Sequence, residues 1–315
     1  MEISVICPVL NEREYIPGLI DFFNSSAPPD KELILIDGGS TDGTVELIDK
    51  MREGHSAITL LHNPKKYVPF ALNLAIPLCK GKYIVRLDAH SLYSPDYFEA
   101  ILATFRKSGA DIVGGPTRTQ YRTAQQEAIA FAVSHPFGIG GSKVHDETYE
   151  GLTDSVTFGA WKREIFQVTG MFDEQLRRNQ DDEFHYRARS KGLKIYQSPE
   201  IKLFYFPRKD LRGLFSQYFQ YGLYKPLVLH KIHTEIKLRH LVPAVFVLYL
   251  ACLILLPIPW FTFIPLIIYL SSVLYVSIVN NKSWSVKKDI PLSIFCIHLA
   301  YGSGFWAGLG KIVRI

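Results

Sequence analysis

Two long stretches of the chain, residues 241–279 and 290–309, carry no aspartate, glutamate, lysine or arginine. The sequence before them has the mixed composition of ordinary water-soluble protein. A membrane-spanning helix needs ~20 consecutive apolar residues, so these stretches are long enough to cross a bilayer. The 315-residue chain is therefore expected to fold as a water-soluble part followed by a membrane part.

The apolar region divides into three predicted helices, at about residues 241–257, 259–279 and 290–309. The first is short for a perpendicular span, but the break at PIPW lets the first two form a hairpin with an uncharged outer turn. Three lysines in the loop 280–289 indicate that this loop is cytoplasmic. For the third helix, spanning and re-entry both stay open, because two basic residues follow it.

Cysteine use and the start of the chain indicate a cytoplasmic location for the water-soluble part. The four cysteines are scattered singly without Cys-x-x-Cys spacing, so we expect reduced core residues. The first residues, MEISVICPVLNE, lack the basic start of a signal peptide and run directly into a strand-like segment. The expected location is the inner, or plasma, membrane of the cell.

Short strands alternate with helices in the water-soluble part. The predicted strands are rich in Val, Ile and Leu and cover residues 3–10, 32–39, 57–63, 83–90 and 110–116. The predicted helices between them cover residues 12–25, 42–53, 68–79 and 95–108. This alternation is typical of an α/β fold, with a doubly wound, mostly parallel sheet covered by helices on both faces.

Polar side chains follow three of these strands. Asn11 and Glu12 follow the first, Asp37 ends the second, and Asp88 and His90 end the fourth. In open α/β sheets the ligand crevice lies beyond the carboxyl ends of the strands. Each residue alone is equally well explained as a turn former or a helix cap. Their joint placement at one edge of the sheet favours a binding site.

These segments resemble, in order, the motifs of family 2 glycosyltransferases with the GT-A fold, which is Rossmann-like. The motifs are ISVICPVLNEREYI, LILIDGGSTDGT, GKYIVRLDAH, TFGAWKREIFQVTGMFDE, RNQDDEFHYRARSKGLKIYQSP and SQYFQYGLYK, and they cover about the first 225 residues. Within the family the pattern is most similar to membrane-associated, succinoglycan-type bacterial glucosyltransferases, whose metal motif also ends in histidine. The resemblance implies an inverting enzyme that moves a sugar from a nucleotide donor, expected to be a UDP-sugar, to an acceptor.

The resemblance also implies a nucleotide pocket at the strand ends. The family's uracil-contacting acid corresponds to Asp37, and Gly39 close to it allows the backbone to approach the ligand. Many members have a second aspartate where this chain has Gly38, a departure that leaves the identity of the base open. The other residues expected to line this cleft are Pro8, which would shape its loop, Asn11, Glu12 and Asp88.

Asp88 and His90 correspond to the two ends of the family's Asp-x-Asp metal motif. Residues two apart in an extended segment project to the same side, so both can reach one divalent cation. Such a cation, Mg2+ or Mn2+, needs only a carboxylate or two besides substrate phosphates, and the imidazole should favour Mn2+. Arg86 lies on the same alternating face and can pair with Asp88 or face phosphate. The alternative is that His90 is a packing residue.

Inversion at the anomeric carbon needs a general base, normally a carboxylate. The family pattern, counted back from Arg187, aligns Asp181 with that base and Gln180 with a residue that is usually Glu. This departure keeps Asp182 as the other candidate. The structural alternative is an acidic first turn that interacts with the dipole of its own helix.

Two further residues are expected near the acceptor. Trp161, in the segment FGAWKRE, is expected to offer a flat apolar platform to a sugar or an isoprenoid chain. Gln217 begins QYFQY, which stands where processive members carry Gln-x-x-Arg-Trp, so single additions are expected. The acceptor is expected to be a lipid-linked or otherwise membrane-bound glycan or lipid, and no nucleic-acid partner is expected.

The predicted regions are a GT-A domain at 1–206, an amphipathic juncture at the membrane surface at 207–240, and a membrane region at 241–315. A nucleotidyltransferase is the alternative enzyme, although no basic, Gly-rich phosphate loop is evident near the start. A dehydrogenase is disfavoured because no GxGxxG follows the first strand. The non-enzymatic alternative is an inactive membrane scaffold, which the presence of Asp37, Asp88 and Asp181 disfavours.

Overall fold

The described part of the chain divides into two units. The residues that the computed structural model describes are 1–232, 237–257 and 259–312. The sheet unit consists of Met1–Arg118 and Lys143–Tyr205. The helical unit consists of Thr119–Ser142 and Phe206–Ile315. The segment 119–142 therefore groups with the helical unit, although it lies inside the span predicted for the GT-A domain.

An eight-stranded, mostly parallel sheet forms the centre of the sheet unit, with the strand order β3-β2-β1-β4-β9-β6-β10-β8. Its strands are β1 (Ile3–Val9), β2 (Lys31–Asp37), β3 (Ile58–His62), β4 (Tyr83–Arg86), β6 (Ile112–Gly114), β8 (Gly151–Leu152), β9 (Ala160–Lys162) and β10 (Ile195–Gln197). Only β8 and β9 run against the others. A second sheet contains β5 (Leu92–Tyr93), β11 (Leu203–Tyr205) and β7 (Thr117–Thr119).

β1 and β2 are buried along nearly their whole length because both faces of the sheet are covered. Successive residues of one strand enter different layers of the core. Val5 and Leu33 belong to one apolar cluster, whereas Ile6 and Ile34 belong to the other. This arrangement confirms the predicted α/β sheet, and it leaves the strand ends as the places where polar side chains can be offered to a ligand.

Helices connect the parallel strands of the sheet unit. They are α1 (Ile16–Ser25), α2 (Thr44–Arg52), α3 (Val68–Ala75), α4 (Tyr97–Ser108), α7 (Ile165–Thr169) and α8 (Gln180–Ser190). A 3-10 turn, Ile76–Leu78, extends α3 to within one residue of the end predicted for that helix. The first helix begins four residues later than predicted, because residues 12–15 belong to the loop that follows β1.

The helical unit contains every long apolar helix of the described residues. Its helices are α5 (Ala124–Ser134), α6 (Pro136–Ile139), α9 (Leu211–Ile232), α10 (Leu238–Leu255), α11 (Ile264–Val279), α12 (Trp284–Lys287) and α13 (Ile290–Ile312). The segments that are long and apolar enough to cross a membrane are Leu238–Leu255, Trp260–Val279 and Trp284–Lys311. The prediction of three apolar C-terminal helices is confirmed.

Helices α9 and α13 pack with their backbones in close contact. A side-chain Cβ at Gly222 of α9 would overlap the carbonyl of Tyr301, and one at Gly304 of α13 would overlap the carbonyl of Phe219. Small residues at such positions let two helices approach closely, as is common between membrane helices. The predicted juncture is thus helical at α9, and one face of that helix is covered by α13.

Candidate active site

The loops that follow β1 and β2 are joined by side-chain-to-backbone hydrogen bonds. The amide of Asn11 donates to the Ser40 hydroxyl at 2.8 Å, and the Thr41 amide donates to the Asn11 side-chain oxygen at 2.8 Å. The amide of Glu12 donates to the Thr44 hydroxyl at 3.0 Å. Asn11 adopts a left-handed φ of 56°, which asparagine tolerates better than most residues. These bonds fix the backbone that carries the Glu12 side chain.

Asp37 ends β2 and caps the turn into α2. Its carboxylate accepts hydrogen bonds from the amide of Gly39 at 2.8 Å and from the amide of Ser40 at 3.1 Å. Gly39 has a left-handed φ of 87°, so the predicted need for glycine there has a conformational cause. A Cβ at Gly38 would lie 2.9 Å from the Lys66 carbonyl oxygen. The second aspartate of other family members would therefore require this backbone to shift.

Pro8 lies inside β1 and does not shape a loop, so that expectation is wrong. It pairs in register with Ile36 of β2, whereas the pairing of β1 with β4 ends at Ile6 and Arg86. Proline lacks an N–H, so it is tolerated in a strand only where no neighbouring strand needs that donor. Pro8 therefore marks the level at which β4 leaves the sheet and the cleft opens.

Asp88, His90 and Glu12 meet beyond the carboxyl ends of β1 and β4. The Nδ1 atom of His90 lies 2.9 Å from the Asp88 carboxylate and 3.0 Å from the Glu12 carboxylate. β4 ends at Arg86, and residues 89 and 90 form a turn in which the His90 amide donates to the Asp88 carboxylate at 3.3 Å. The predicted extended segment is therefore wrong, although the two side chains do converge.

Electrostatics makes this cluster suitable for a cation. Burial alone would lower the pKa of His90, but hydrogen bonds to Asp88 and Glu12 and their negative charges raise it to about 10. Burial opposes ionisation of Asp88, yet the His90 hydrogen bond and nearby positive charge leave the pKa of Asp88 below its usual value. The protonated imidazole thus occupies a position between two carboxylates that a divalent cation would also favour.

The donor set fits a cation that is shared with a phosphate ligand. Among residues 1–232, 237–257 and 259–312, no group of three or more His, Cys, Asp or Glu side chains is arranged to hold a metal ion by itself. Mg2+ and related cations are commonly held by one or two carboxylates, with substrate phosphates supplying other ligands. Both carboxylate contacts of His90 use Nδ1, so Nε2 is the ring nitrogen that can meet an ion, and it must first lose its proton to do so.

Tyr93 holds the turn that carries Asp88, a role that sequence reasoning missed. Its hydroxyl accepts from the Asp88 amide at 2.7 Å and donates to the Asp88 carbonyl oxygen at 3.1 Å. The Tyr93 ring packs against Phe22 and Tyr97 with centroid distances of 5.3 and 4.7 Å. No local pattern marks this residue, because a tyrosine five positions after an aspartate has no fixed meaning in a sequence.

The acidic turn of α8 contains side chains with different partners. Glu183 forms a two-pronged ion pair with Arg187, with both N–O distances at 2.8 Å. Arg187 also donates to the carbonyls of Thr169 and Met171, so it ties α8 to the preceding loop. Asp181 is half-buried and accepts a hydrogen bond from the Asp182 amide at 3.2 Å. Arg187 therefore has a positioning role beside the candidate base.

His185 lies beneath this turn and is buried. Its Nδ1 atom is 2.9 Å from the Ser155 hydroxyl, and its Nε2 atom has no hydrogen-bond partner among the described residues. Burial lowers the pKa of His185, against the raising effect of Asp181 and Asp182. The ring is therefore neutral at neutral pH. Sequence reasoning missed this residue because a histidine within a helix is usually a packing residue.

Trp161 is a core residue, so the expectation of an acceptor platform is wrong. It lies on β9 with 2% of its surface exposed, and it packs against Phe166, Phe172 and Phe184. Gln217 belongs to α9 of the helical unit, where its side chain accepts from Arg208 at 3.2 Å and donates to Tyr221 at 3.0 Å. Its expected role near the acceptor stays a prediction.

Comparison with known families decides the class of this protein. Residues 4–168 match the model of the family described as Glycosyl transferase family 2. The chain belongs to glycosyl transferase family 2. The matched span of this glycosyltransferase contains Asp37, Asp88 and His90 but ends before Asp181, so the assignment of the base depends on α8 itself.

Relatives of this glycosyltransferase match it over nearly its whole length. The succinoglycan biosynthesis protein ExoA of Rhizobium meliloti is 28% identical over 97% of this chain and 94% of its own length. A second relative, from Methanococcus voltae, is 25% identical over 98% of this chain and 97% of its own length. It is named dolichyl N-acetyl-alpha-D-glucosaminyl phosphate 3-beta-D-2,3-diacetamido-2,3-dideoxy-beta-D-glucuronosyltransferase. The predicted resemblance to succinoglycan-type enzymes is confirmed.

Solved structures confirm the GT-A type of fold. The mannosyltransferase PcManGT of Pyrobaculum calidifontis, solved with GDP-Man and Mn2+, has a TM-score of 0.61 at 17% identity, covering 95% of this chain and 86% of its own. TarS of S. aureus, solved with UDP-GlcNAc, has a TM-score of 0.53 at 11% identity, covering 99% and 92%. At these identities the likeness concerns the fold.

Proposed function

We propose that this glycosyltransferase transfers a sugar from a nucleotide-sugar donor, a UDP-sugar, to a membrane-bound or lipid-linked acceptor with inversion at the anomeric carbon. The observation that carries the proposal is the meeting of Glu12, Asp88 and His90 at the carboxyl edge of the parallel strands. That edge is where α/β sheets bind nucleotides. Synthesis of a polysaccharide or glycolipid is the process that the names of the relatives support.

The donor is proposed to bind along the ends of β1, β2 and β4. Asp37 and Gly39 face the base and Asn11 lines the cleft, while Asp88 and His90 lie at the diphosphate. When bound there, a Mn2+ or Mg2+ ion supplies positive charge against the diphosphate. The solved neighbours carry GDP-Man with Mn2+ in one case and UDP-GlcNAc in the other, so both nucleotides belong in the test.

Asp181 is proposed as the general base. Its carboxylate takes the proton of the acceptor hydroxyl while that oxygen forms a bond to the anomeric carbon. The bond from the anomeric carbon to the phosphate oxygen breaks, and the nucleoside diphosphate leaves with the electron pair. One observation narrows the choice among the three acidic residues of this turn: the Glu183 carboxylate is paired with Arg187. The motif alignment then favours Asp181 over Asp182.

The acceptor is proposed to lie at the inner face of the plasma membrane. The three apolar helices support membrane attachment, and the name of the Methanococcus voltae relative includes a lipid phosphate acceptor. The basic loop between α11 and α13 supports a cytoplasmic side for the enzyme. A cysteine placed at Ser285 should resist an impermeant thiol reagent in intact cells, and efficient labelling there would contradict this topology.

Membership in the family disfavours the nucleotidyltransferase alternative. A test for release of nucleoside diphosphate from a sugar donor would distinguish the proposed enzyme from an inactive scaffold. The purified full chain in detergent should be incubated with a panel of UDP- and GDP-sugars, with Mn2+, Mg2+ or EDTA. We expect metal-dependent release of one nucleoside diphosphate, and UDP in particular. Failure to hydrolyse any donor, together with failure to retain labelled UDP or GDP, would favour the scaffold.

A further inference from the structure

Arg86 is a buried cation that lacks the partner such a residue normally has. It is the last residue of β4, and only 8% of its surface is exposed. Its Nε atom is enclosed without a hydrogen-bond partner. Within the described ranges its guanidinium forms no ion pair or side-chain hydrogen bond with another residue, although its charge helps to lower the pKa of Asp88. A buried charge is stable only when paired, so an arginine in this state indicates an anion supplied from outside the chain.

Phe158 supports the guanidinium at the cost of backbone strain. Its ring centroid lies 5.3 Å from the Arg86 guanidinium carbon, within the range of a cation–π contact. Phe158 has a left-handed φ of 57°, which is unusual for a bulky residue, and Gly159 after it has a φ of 70°. Strained residues of this kind cluster at functional sites. Because the ring covers only one face of the planar guanidinium, the in-plane N–H donors of Arg86 stay available for hydrogen bonds to a ligand.

The charge of Arg86 acts on both halves of the proposed active site. Arg86 precedes Asp88 by two residues, and its backbone amide donates to the Gly159 carbonyl at 3.2 Å. Its charge also contributes to lowering the pKa of His185, the buried residue beside Asp181. A positive group that acts on both Asp88 and the buried neighbour of Asp181 suits an anionic ligand bound at this site.

We propose that Arg86, stacked on Phe158, is a phosphate-binding residue of the active site, an assignment that rests on the proposed function. A guanidinium binds two phosphate oxygens through parallel N–H bonds, which a lysine cannot reproduce. The phosphate belongs either to the donor diphosphate or to a lipid-linked acceptor. Arg86 thereby gives the site an affinity for phosphate that does not depend on the divalent cation.

The test uses Arg86→Met, Arg86→Lys and a matched control, Arg106→Met, in the full chain. Arg106 is an exposed arginine of α4 that pairs with Glu2 at 3.4 Å. Binding of UDP, GDP, uridine, pyrophosphate and a short polyprenyl phosphate is measured in EDTA, together with the melting temperature of each unliganded variant. The EDTA condition removes any contribution of a bound cation.

We expect Arg86→Met to weaken pyrophosphate and UDP binding by ~10-fold or more, while uridine binding stays unchanged. Its unliganded melting temperature should equal or exceed that of the wild type, because a buried unpaired charge has been replaced by an apolar side chain. Arg86→Lys should recover part of the affinity, and Arg106→Met should match the wild type. A loss confined to polyprenyl phosphate would assign Arg86 to the acceptor phosphate.

Two results overturn the proposal. One is wild-type affinity of Arg86→Met for all the phosphate probes, polyprenyl phosphate included. The other is a lower melting temperature with uridine and UDP affinities falling together, which indicates a structural role. If the wild type binds neither UDP nor GDP but binds pyrophosphate through Arg86, the proposed function fails while the phosphate site stands.

Discussion

Two histidines, the buried His185 of the sheet unit and the half-buried His298 of the helical unit, show how differently the two units use polar groups. The Nδ1 atom of His185 is hydrogen-bonded to the Ser155 hydroxyl, and its Nε2 atom has no hydrogen-bond partner in the described part of the chain. His298 of the helical unit has Nδ1 bonded to the Tyr269 hydroxyl at 2.9 Å, and Nε2 lies 3.1 Å from the carbonyl oxygen of Phe137. The sheet unit thus leaves one ring nitrogen of a buried histidine without a described partner, whereas the helical unit uses both ring nitrogens to join its helices.

The glycines of the two units also have different roles. In the sheet unit Gly39 and Gly159 have left-handed φ values of 87° and 70°, so they serve the turns that shape the cleft. In the helical unit Gly304 and Gly308 of α13 stand where any Cβ would overlap the backbone of α9. Substitutions at the cleft of the sheet unit should therefore change activity more than stability, and substitutions at the helical contacts should do the reverse.

The largest expected effect is on catalysis in the sheet unit. Asp181→Asn should reduce transfer by at least ~10²-fold, because the amide cannot accept the hydroxyl proton. Nucleotide binding and melting temperature should stay near those of the wild type, since the asparagine oxygen can still accept from the Asp182 amide. Initial rates with the donor identified by the screen provide the measurement.

Two neighbouring variants serve as controls for Asp181. Glu183→Gln weakens the ion pair with Arg187 and should lower stability while retaining more activity than Asp181→Asn. Asp182→Asn should remain active. Near-normal transfer by Asp181→Asn together with an inactive Asp182→Asn would mean that Asp182, and not Asp181, is the general base.

The next effect is on stability in the helical unit. Gly304→Leu should destabilise the protein by ~1–3 kcal/mol or more, because its side chain must displace the α9 backbone at Phe219. Gly310→Leu in the same helix is the matched control, since no described atom lies within 4 Å of a Cβ there. Melting temperature in detergent is the measurement. Equal melting temperatures for the two variants would contradict the close packing of α9 and α13.

The smallest effect concerns the choice of cation at the strand ends. His90→Asp should stay active and raise the ratio of the Mg2+ rate to the Mn2+ rate by ~2- to 10-fold, because an oxygen ligand replaces nitrogen. His55→Asp, a change at an exposed histidine, should leave the ratio unchanged. Identical ion profiles for wild type, His90→Ala and His90→Asp would mean that His90 is not a ligand.

The polar residues at the carboxyl ends of the strands could be predicted because they depend on the local sequence pattern. Buried parallel strands are continuous apolar runs, so the residues at which β1 and β2 stop could be read from the sequence, and Asn11, Glu12 and Asp37 with them. The meeting of Asp88 and His90 was also predicted, although a turn causes it and a strand does not. The spacing of the Asp-x-His motif was enough for a correct prediction, even though the backbone there is a turn and the predicted extended segment was wrong.

Features that depend on contacts between distant residues were not predictable. Trp161 was assigned to a platform because aromatic rings bind sugars, and only the packing of Phe172 and Phe184 around it shows that it is a core residue. Arg86 looked like a partner for Asp88, and its missing partner is visible only in three dimensions. The grouping of residues 119–142 with the helical unit has the same origin, since it depends on tertiary contacts.

Metal-dependent binding of UDP to wild type and to Asp88→Ala tests the central claim, that the strand-end cluster is the donor site. The Tyr93 hydroxyl holds the backbone of Asp88, so the turn should survive loss of the carboxylate. Calorimetry with Mn2+ and with EDTA should show a gain in UDP affinity of ~10-fold or more from metal in the wild type and none in Asp88→Ala, which should also be inactive. An undiminished metal-dependent gain in Asp88→Ala would contradict the account.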